Sequence, residues 1–272
     1  LTDIFSEKEQ TTISYLRELG FSKQILNDFF IPFFSGIFLE NQLETSSRMF
    51  EFVYKMFGEG HAAIPKAGME AIPKQLLNNL KTTTFQYNTK VATVEEGKIT
   101  LKNGRKLESD FTILTIPANN LISNIKKQSI EWRSYVTLYF ETTTRVINKP
   151  LIGLIAKPGS LVNNIVYNSS LTSVAKPAHE LLCVTVIDDQ NLSDDELVTA
   201  VKEELRVLCD ITIIRFIKQY RITKALPKLE NLKYEMKHSE TKLSKSIFVS
   251  GDTQLNASFN AAMISGEQAA LA

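Results

Sequence analysis

The closing stretch, KSIFVSGDTQLNASFNAAMISGEQAALA at residues 245–272, decides how the rest of this chain is read. About five apolar residues form a strand, which runs into Gly251 and Asp252 and then a short loop. A helix opens near Ser258, a residue type whose hydroxyl accepts a hydrogen bond from a helix's first turn. Such a helix start carries unsatisfied N–H groups and a partial positive charge, and phosphates and electron-rich rings bind there. Ala257, Ala261 and Ser265 recur every fourth residue with Ala262 and Gly266 beside them, so one strip of the helix has almost no side chain. Something flat, or another stretch of backbone, is expected to lie on that strip. Pattern alone equally describes a capped helix with an alanine face packed on a sheet.

Upstream, TKVATVEEGKITLKNGRKLESDFTILTIP at 89–117 alternates apolar and polar residues and carries turn signals at Glu96-Gly97 and Asn103-Gly104. It reads as a β-meander with a closing strand. That strand, FTILTI at 111–116, is apolar on both faces and is expected to be buried between layers. Residues 3–80 show the three- and four-residue spacing of helices, with Gly20 as a C-cap and Pro32 kinking a buried helix over 25–40. Between them, strands are expected near 134–141, 151–156, 163–168, 181–187 and 211–220, with a helix over 194–209 capped by Ser193. The fold class is therefore mixed α/β.

Bulk composition narrows the function classes. With 272 residues, 43% of them hydrophobic, the chain buries a substantial core. Thirty-one Lys and Arg against 30 Asp and Glu, without long runs of one sign, leave no electrostatic footprint for nucleic acid. No stretch reaches the roughly 18 uninterrupted apolar residues of a membrane-spanning helix. Cys183 and Cys209 lack CxxC spacing and read as core thiols of a reducing, cytoplasmic protein. A chain that opens on Leu1 rather than Met reads as a piece of a longer one.

The terminal VSGDTQLNASFNAAMISGEQAA resembles the C-terminal flavin motif shared by flavin amine oxidases, protoporphyrinogen oxidases and carotenoid desaturases. Three further pieces lie upstream of it, and all occur along the chain in the order found in that superfamily: the segments PFFSGIFLENQLETSSRMFEFVYKMFGEG and IPKAGMEAIPKQL, the VATVEEGKITLKNG meander with TIPAN, and the YRITKALPKLE element at 220–230. The resemblance covers nearly the whole chain. It implies an FAD-dependent oxidoreductase that takes hydride from an apolar or amine-bearing small molecule, with the flavin doing the chemistry. It further implies that Val91 meets the adenine through its backbone, that Gly251 and Asp252 approach the ribityl and pyrophosphate region, and that Ala257, Ser258, Phe259 and Ala262 face the flavin.

Two departures accompany it. The sequence contains no GxGxxG followed by an acidic residue, the element that cradles the FAD pyrophosphate and ribose, so that element is expected to precede Leu1. Amine oxidases of the superfamily place a lysine shortly after the strand matching TIPAN, where it holds a water at the flavin N5. The corresponding position here is Ser123, with Lys126 the nearest lysine, which leans the reading towards desaturases and protoporphyrinogen oxidases. The second reading, from another class, is a non-catalytic substrate-domain piece or binding module unable to hold FAD.

Other residues carry less. His61, His179 and His238 lack metal-ligand spacing, so no metal is expected. Asp188, Asp189, Asp194 and Asp195 read as charges favouring the start of the 194–209 helix. Phe29, Phe30, Phe33, Phe34 and Phe38 line either a substrate tunnel or a core, and Trp132 packs. No catalytic side chain is assigned. The expected organisation is a helical part of the substrate domain at 1–84, meander and return strand of the FAD domain at 85–122, a substrate-domain sheet at 123–243, and the FAD-domain strand and helix at 244–272.

Overall fold

A computed structural model describes residues 2–118, 121–122, 130–171 and 179–272. In chain order its elements are α1 (Thr2–Ser6), α2 (Thr12–Glu18), α3 (Lys23–Ile25), a π-helical turn (Leu26–Phe30), α4 (Ile31–Phe38), α5 (Ser47–Glu59), α6 (Ala71–Asn79), β1 (Val91–Glu95), β2 (Lys98–Leu101), β3 (Lys106–Glu108), β4 (Thr112–Leu114), β5 (Trp132–Thr142), β6 (Gly153–Leu154), β7 (Val162–Tyr167), β8 (Glu180–Val186), α7 (Asp194–Cys209), β9 (Ile213–Pro227), β10 (Ile247–Val249) and α8 (Phe259–Leu271). The chain divides into two compact units. One holds Leu1–Glu7, Phe52–Ile130 and Leu229–Ala272, and the other Lys8–Glu51 and Glu131–Lys228. The mixed α/β class is as the sequence indicates.

In the second unit a five-stranded sheet runs in the order β6-β7-β8-β5-β9, antiparallel throughout. Alternation along β5 sends Val136, Leu138 and Phe140 to one face, where they pack with Val184 and Val186 of β8 and with Leu197, Val201 and Leu205 of α7. Those α7 residues, four apart, form the buried stripe of an amphipathic helix. Ser193 caps it as expected: its Oγ accepts from the Glu196 N–H while the Glu196 carboxylate accepts from the Ser193 N–H, a reciprocal capping box. The strand expected over 151–156 shrinks to Gly153–Leu154. At Gly153 a Cβ would stand 2.6 Å from Ile147 Cδ1, so this edge is pressed tightly on its neighbour.

The kink expected near Pro32 is a widened turn. Ile31 donates its N–H to Leu26 O, five residues back, and α4 begins with Pro32 in its first turn. Beyond it Phe34 and Phe38 are fully buried, and Phe34 packs 4.7 Å from Phe50 between ring centroids. The helix closes on Leu39 in the left-handed region. Arg133 fixes this closure, donating to Phe38 O at 2.8 Å and to Thr45 Oγ1 at 2.6 Å.

In the first unit β1, β2 and β3 form the expected antiparallel meander, with Gly97 and Gly104 at positive φ in its two turns. β4 pairs in parallel with β10, Ile247 opposite Thr112 and Val249 opposite Leu114. The expectation that FTILTI is buried on both faces is corrected here. Leu114 is buried, but Phe111, Ile113 and Ile116 are 70%, 43% and 53% exposed. Among the described residues β4 has β10 as its single sheet neighbour, and no layer covers its outer face.

Candidate functional site

β10 enters the corner fully buried at Ile247, Phe248 and Val249, and the Ser250 N–H continues its pairing by donating to Leu114 O at 2.8 Å. Gly251 follows at φ +139°, where L side chains rarely fit, with Thr115 O 3.8 Å from its would-be Cβ. Its carbonyl accepts from the Gln254 N–H, and the Asp252 carbonyl accepts from Leu255 and Ala257. The corner is thus one short 3₁₀ turn over Asp252–Gln254. Ala257 then adopts φ +59°, which reverses the chain before the helix.

Asn256, 3% exposed, anchors the loop from inside. Its Nδ2 donates to Lys233 O at 2.9 Å, and its Oδ1 accepts from Ser258 Oγ at 2.6 Å. Ser258 Oγ in turn accepts from the Ala261 N–H at 3.0 Å and caps α8. The sequence anticipated this cap but not Asn256, whose polar side chain gives no periodic signal.

The small strip on α8 divides. Ala261, Ser265 and Ala269, four residues apart, are buried. Ser265 Oγ accepts from the Gly251 N–H at 2.9 Å and lies 3.0 Å from both Gly251 O and Ala262 O, as well as 3.2 Å from Ser250 Oγ. Another stretch of backbone, the Ser250–Gly251 corner, therefore lies on this part of the strip. The other side of the helix start is open. Phe259 is 52% and Met263 50% exposed, one turn apart, with half-buried Ala262 beside them. Half-buried Asp252 has no side-chain hydrogen bond among the described residues.

Val91 lies at a bulge in β1, opposite Leu101. It packs against the cluster of Val94, Leu114 and Ile247, so the meander and the Gly251 corner hang on one small core within the same unit. A cleft of about 630 Å³ opens beside it. Phe85 and Tyr87 stand there with ring planes 13° apart, together with Lys90, Lys102 and Arg105. Arg105 Nη2 donates to Gln86 Oε1 at 2.6 Å. The sequence reading missed these residues; their signal is the F-x-Y pair just before the meander.

Ser123 and Lys126 lie outside the described residues. Among the described residues no three His, Cys, Asp or Glu side chains converge, and no helix is long and apolar enough to cross a membrane. Cys183 and Cys209 are free and half-buried. Cys183 Sγ lies 3.2 Å from Thr137 Oγ1, and burial pushes the Cys209 thiol up.

A parallel strand pair running through a glycine corner into a capped small-residue helix, beside an antiparallel meander and with a separate antiparallel sheet unit, defines a fold of the flavoprotein oxidoreductase class. Solved structures share it. A protein provisionally described as a protoporphyrinogen oxidase from Exiguobacterium sp. is 16% identical with a TM-score of 0.71, covering 97% of this chain and 67% of that one. An oxidoreductase from Methanosarcina mazei is 11% identical with a TM-score of 0.67, covering 98% and 69%. A putrescine oxidase variant is 12% identical with a TM-score of 0.63, covering 99% and 68%. This chain thus spans about two thirds of the length of these structures. No curated protein matches it. Residues 3–270 match the flavin containing amine oxidoreductase family, and the chain belongs to that family.

Proposed function

We propose that this chain forms the flavin-facing corner and the substrate unit of an FAD-dependent oxidoreductase that removes hydride from an apolar or amine-bearing small molecule. The observation that carries this reading is the open side of the α8 start, where Phe259, Ala262 and Met263 present an apolar step in front of a capped helix terminus. An aromatic ring system fits such a surface, and the partial positive charge of the terminus favours electron density in front of it. When bound, flavin supplies the two-electron acceptor that protein side chains lack.

This chain's own residues bind and orient. Gly251, Asp252, Ala257, Ser258, Phe259 and Ala262 would hold the flavin side, and Val91 the adenine side. Ser265 fixes the Gly251 backbone so that half-buried Asp252 is free to accept a hydroxyl hydrogen bond. Lys90, Lys102 and Arg105 add positive charge to the cleft beside Val91, which suits an anionic nucleotide. In this reading the unit built on the meander and α8 is the cofactor side, and the unit built on the five-stranded sheet is the substrate side.

The test uses riboflavin, which has the isoalloxazine ring and ribityl chain but no phosphate. Its fluorescence should be quenched saturably by the chain, and Ala262→Phe, which fills the apolar step, should abolish the quenching while leaving the circular dichroism unchanged. Quenching that never saturates, or that survives Ala262→Phe, refutes the assignment.

A second reading is favoured by one specific observation: GxGxxG occurs nowhere in these 272 residues. By themselves they would then act as a non-catalytic module that does not retain FAD. Calorimetric titration decides this, since micromolar or tighter FAD binding by the 272 residues excludes it.

A further inference from the structure

Two short stretches, FQYNTK at 85–90 and LKNGR at 101–105, meet at one end of the meander. Strand pairing brings them together: Val91 stands opposite Leu101, and the Lys102 N–H donates to Lys90 O at 2.8 Å. Gly104, at φ +85°, then folds the chain back so that the Leu101 N–H donates to Arg105 O at 2.9 Å. On the other side Asn88 turns the chain at φ +55°, a conformation asparagine tolerates, and Thr89 Oγ1 ties that turn by donating to Tyr87 O at 2.9 Å. The cleft of about 630 Å³ between the two stretches lies within one unit, and apart from Leu101 every residue lining it is exposed.

The charges in this cleft are of one sign. Lys90, Lys102 and Arg105 line it, and among the described residues no carboxylate lines it and none of the three cations makes an ion pair. Elsewhere in the same unit Lys55, Lys74, Lys98 and Lys233 each pair with a glutamate. The formal net charge of the whole chain is +1, so this concentration is local and does not come from a generally basic surface. Like charges gathered without a counter-charge raise the local potential and draw an anion. Arg105 is also aimed. Its Nη2 donates to Gln86 Oε1 at 2.6 Å and its backbone N–H to Asn103 Oδ1 at 3.0 Å, which leaves further guanidinium donors for a ligand.

Beside the cations stand two rings. Phe85 and Tyr87 are two residues apart on an extended stretch and so share one side of it. Their planes lie 13° from parallel with centroids 6.2 Å apart, and they are 42% and 70% exposed. A pair of accessible, nearly parallel rings is a platform on which a planar base stacks, and the preference is tolerant because every base has a π-face. The volume lies within the range of small-molecule sites. Rings on one stretch and cations on the other match the two halves of a single molecule, a flat base joined to phosphate.

We propose that this cleft binds a free nucleoside phosphate, its base stacked on Tyr87 and Phe85 and its phosphates held by Lys90, Lys102 and Arg105. The inference goes beyond the flavin reading, which asks of this cleft only positive charge, and it does not rest on that reading.

The test is calorimetric titration of the 272-residue protein with ADP, adenosine, inorganic pyrophosphate and a short single-stranded oligonucleotide. ADP should bind saturably at a Kd below about 1 mM, with adenosine and pyrophosphate each weaker by about tenfold or more. Tyr87→Ala should weaken ADP binding by about tenfold, in keeping with the loss of one stacked base, while pyrophosphate binding and the melting temperature stay unchanged; Tyr87→Phe should bind as the wild type does. Lys102→Ala should weaken ADP and pyrophosphate alike and flatten the salt dependence of ADP binding. The proposal is overturned if ADP does not saturate, if adenosine or pyrophosphate binds as tightly as ADP, or if Tyr87→Ala binds ADP unchanged. An oligonucleotide that binds more than about tenfold tighter than ADP also overturns it, since the cleft would then be one stretch of a nucleic-acid track. ADP lacks the isoalloxazine ring and riboflavin lacks phosphate, so failure here and failure of the flavin reading are separate results.

Discussion

Replacing Ser265 by alanine removes one oxygen atom from the centre of the corner that the functional reading depends on. In the wild-type protein this hydroxyl is fully buried and accepts from the Gly251 N–H while donating to a nearby carbonyl. The donated bond has a net worth of about 1 kcal/mol, and leaving the Gly251 N–H without an acceptor costs about 1–3 kcal/mol. Alanine returns a few tenths of a kcal/mol in helix propensity. The balance is a loss of about 2 kcal/mol, which lowers the melting temperature of a unit of this size by roughly 5–10 °C. The effect is local, so it is best read by amide hydrogen exchange. The Gly251 amide should exchange about 30-fold faster, since every 1.4 kcal/mol is a factor of ten, while amides of β5 and β8 in the other unit keep their rates. A Ser265→Ala protein within about 0.5 kcal/mol of wild type in urea unfolding, with unchanged exchange at Gly251, would refute the view that Ser265 holds the corner.

Three other substitutions probe the framework. Gly36→Ala gains about 1 kcal/mol in helix propensity but drives a methyl group into Asn163 Oδ1 and Asn164 Nδ2, so the urea midpoint should fall, by about 1–2 kcal/mol in stability; a rise would show that the Asn pair yields freely. Glu204→Ala strands the Leu161 and Val162 N–H groups, costs about 2–3 kcal/mol by denaturation, and releases both amides to exchange. Glu196 tests the capping box by pH. The Ser193 hydroxyl and backbone N–H, bonded to its carboxylate, hold its pKa below the usual glutamate value. Because the folded-state pKa is depressed, this contribution is complete above the unfolded pKa and is lost as pH falls through the folded one. A carboxyl carbon shift titration should place Glu196 below an ordinary exposed glutamate, and Ser193→Ala should move it back up.

Much of this architecture follows from local signals. The meander is announced by Gly97 and Gly104, which supply the positive φ its turns need, and α7 by Ser193, Glu196 and a four-residue apolar stripe. The same logic places the cap at Ser258 and the strand before Gly251. What stays hidden depends on partners distant in sequence. An apolar run such as FTILTI encodes a preference for burial but not the number of neighbouring strands, so the exposure of Ile113 and Ile116 could not be foreseen. Ser265 reads as one more small residue on a helix, because its bond to Gly251 depends on a fold-back of 14 positions. Asn256 is invisible for the same reason, its anchor being Lys233 O. The pairing of β9 through Pro227 shows the converse: ALP looks like the end of a strand, yet the ladder with β5 continues until Pro227 stands opposite Trp132.

The widened turn at Leu26–Phe30 holds one residue more than a regular helix needs over the same length. That surplus makes the chain unequally tolerant of changes in its own length. Removing Asn27 would let the turn relax to ordinary pitch, with everything downstream still pointing the same way. Removing a residue from within α4, two turns later, would spin Phe38 by about 100° about the axis and eject it from the core. Natural variation in length along this helix should therefore collect at the slack turn and avoid the straight segment that follows.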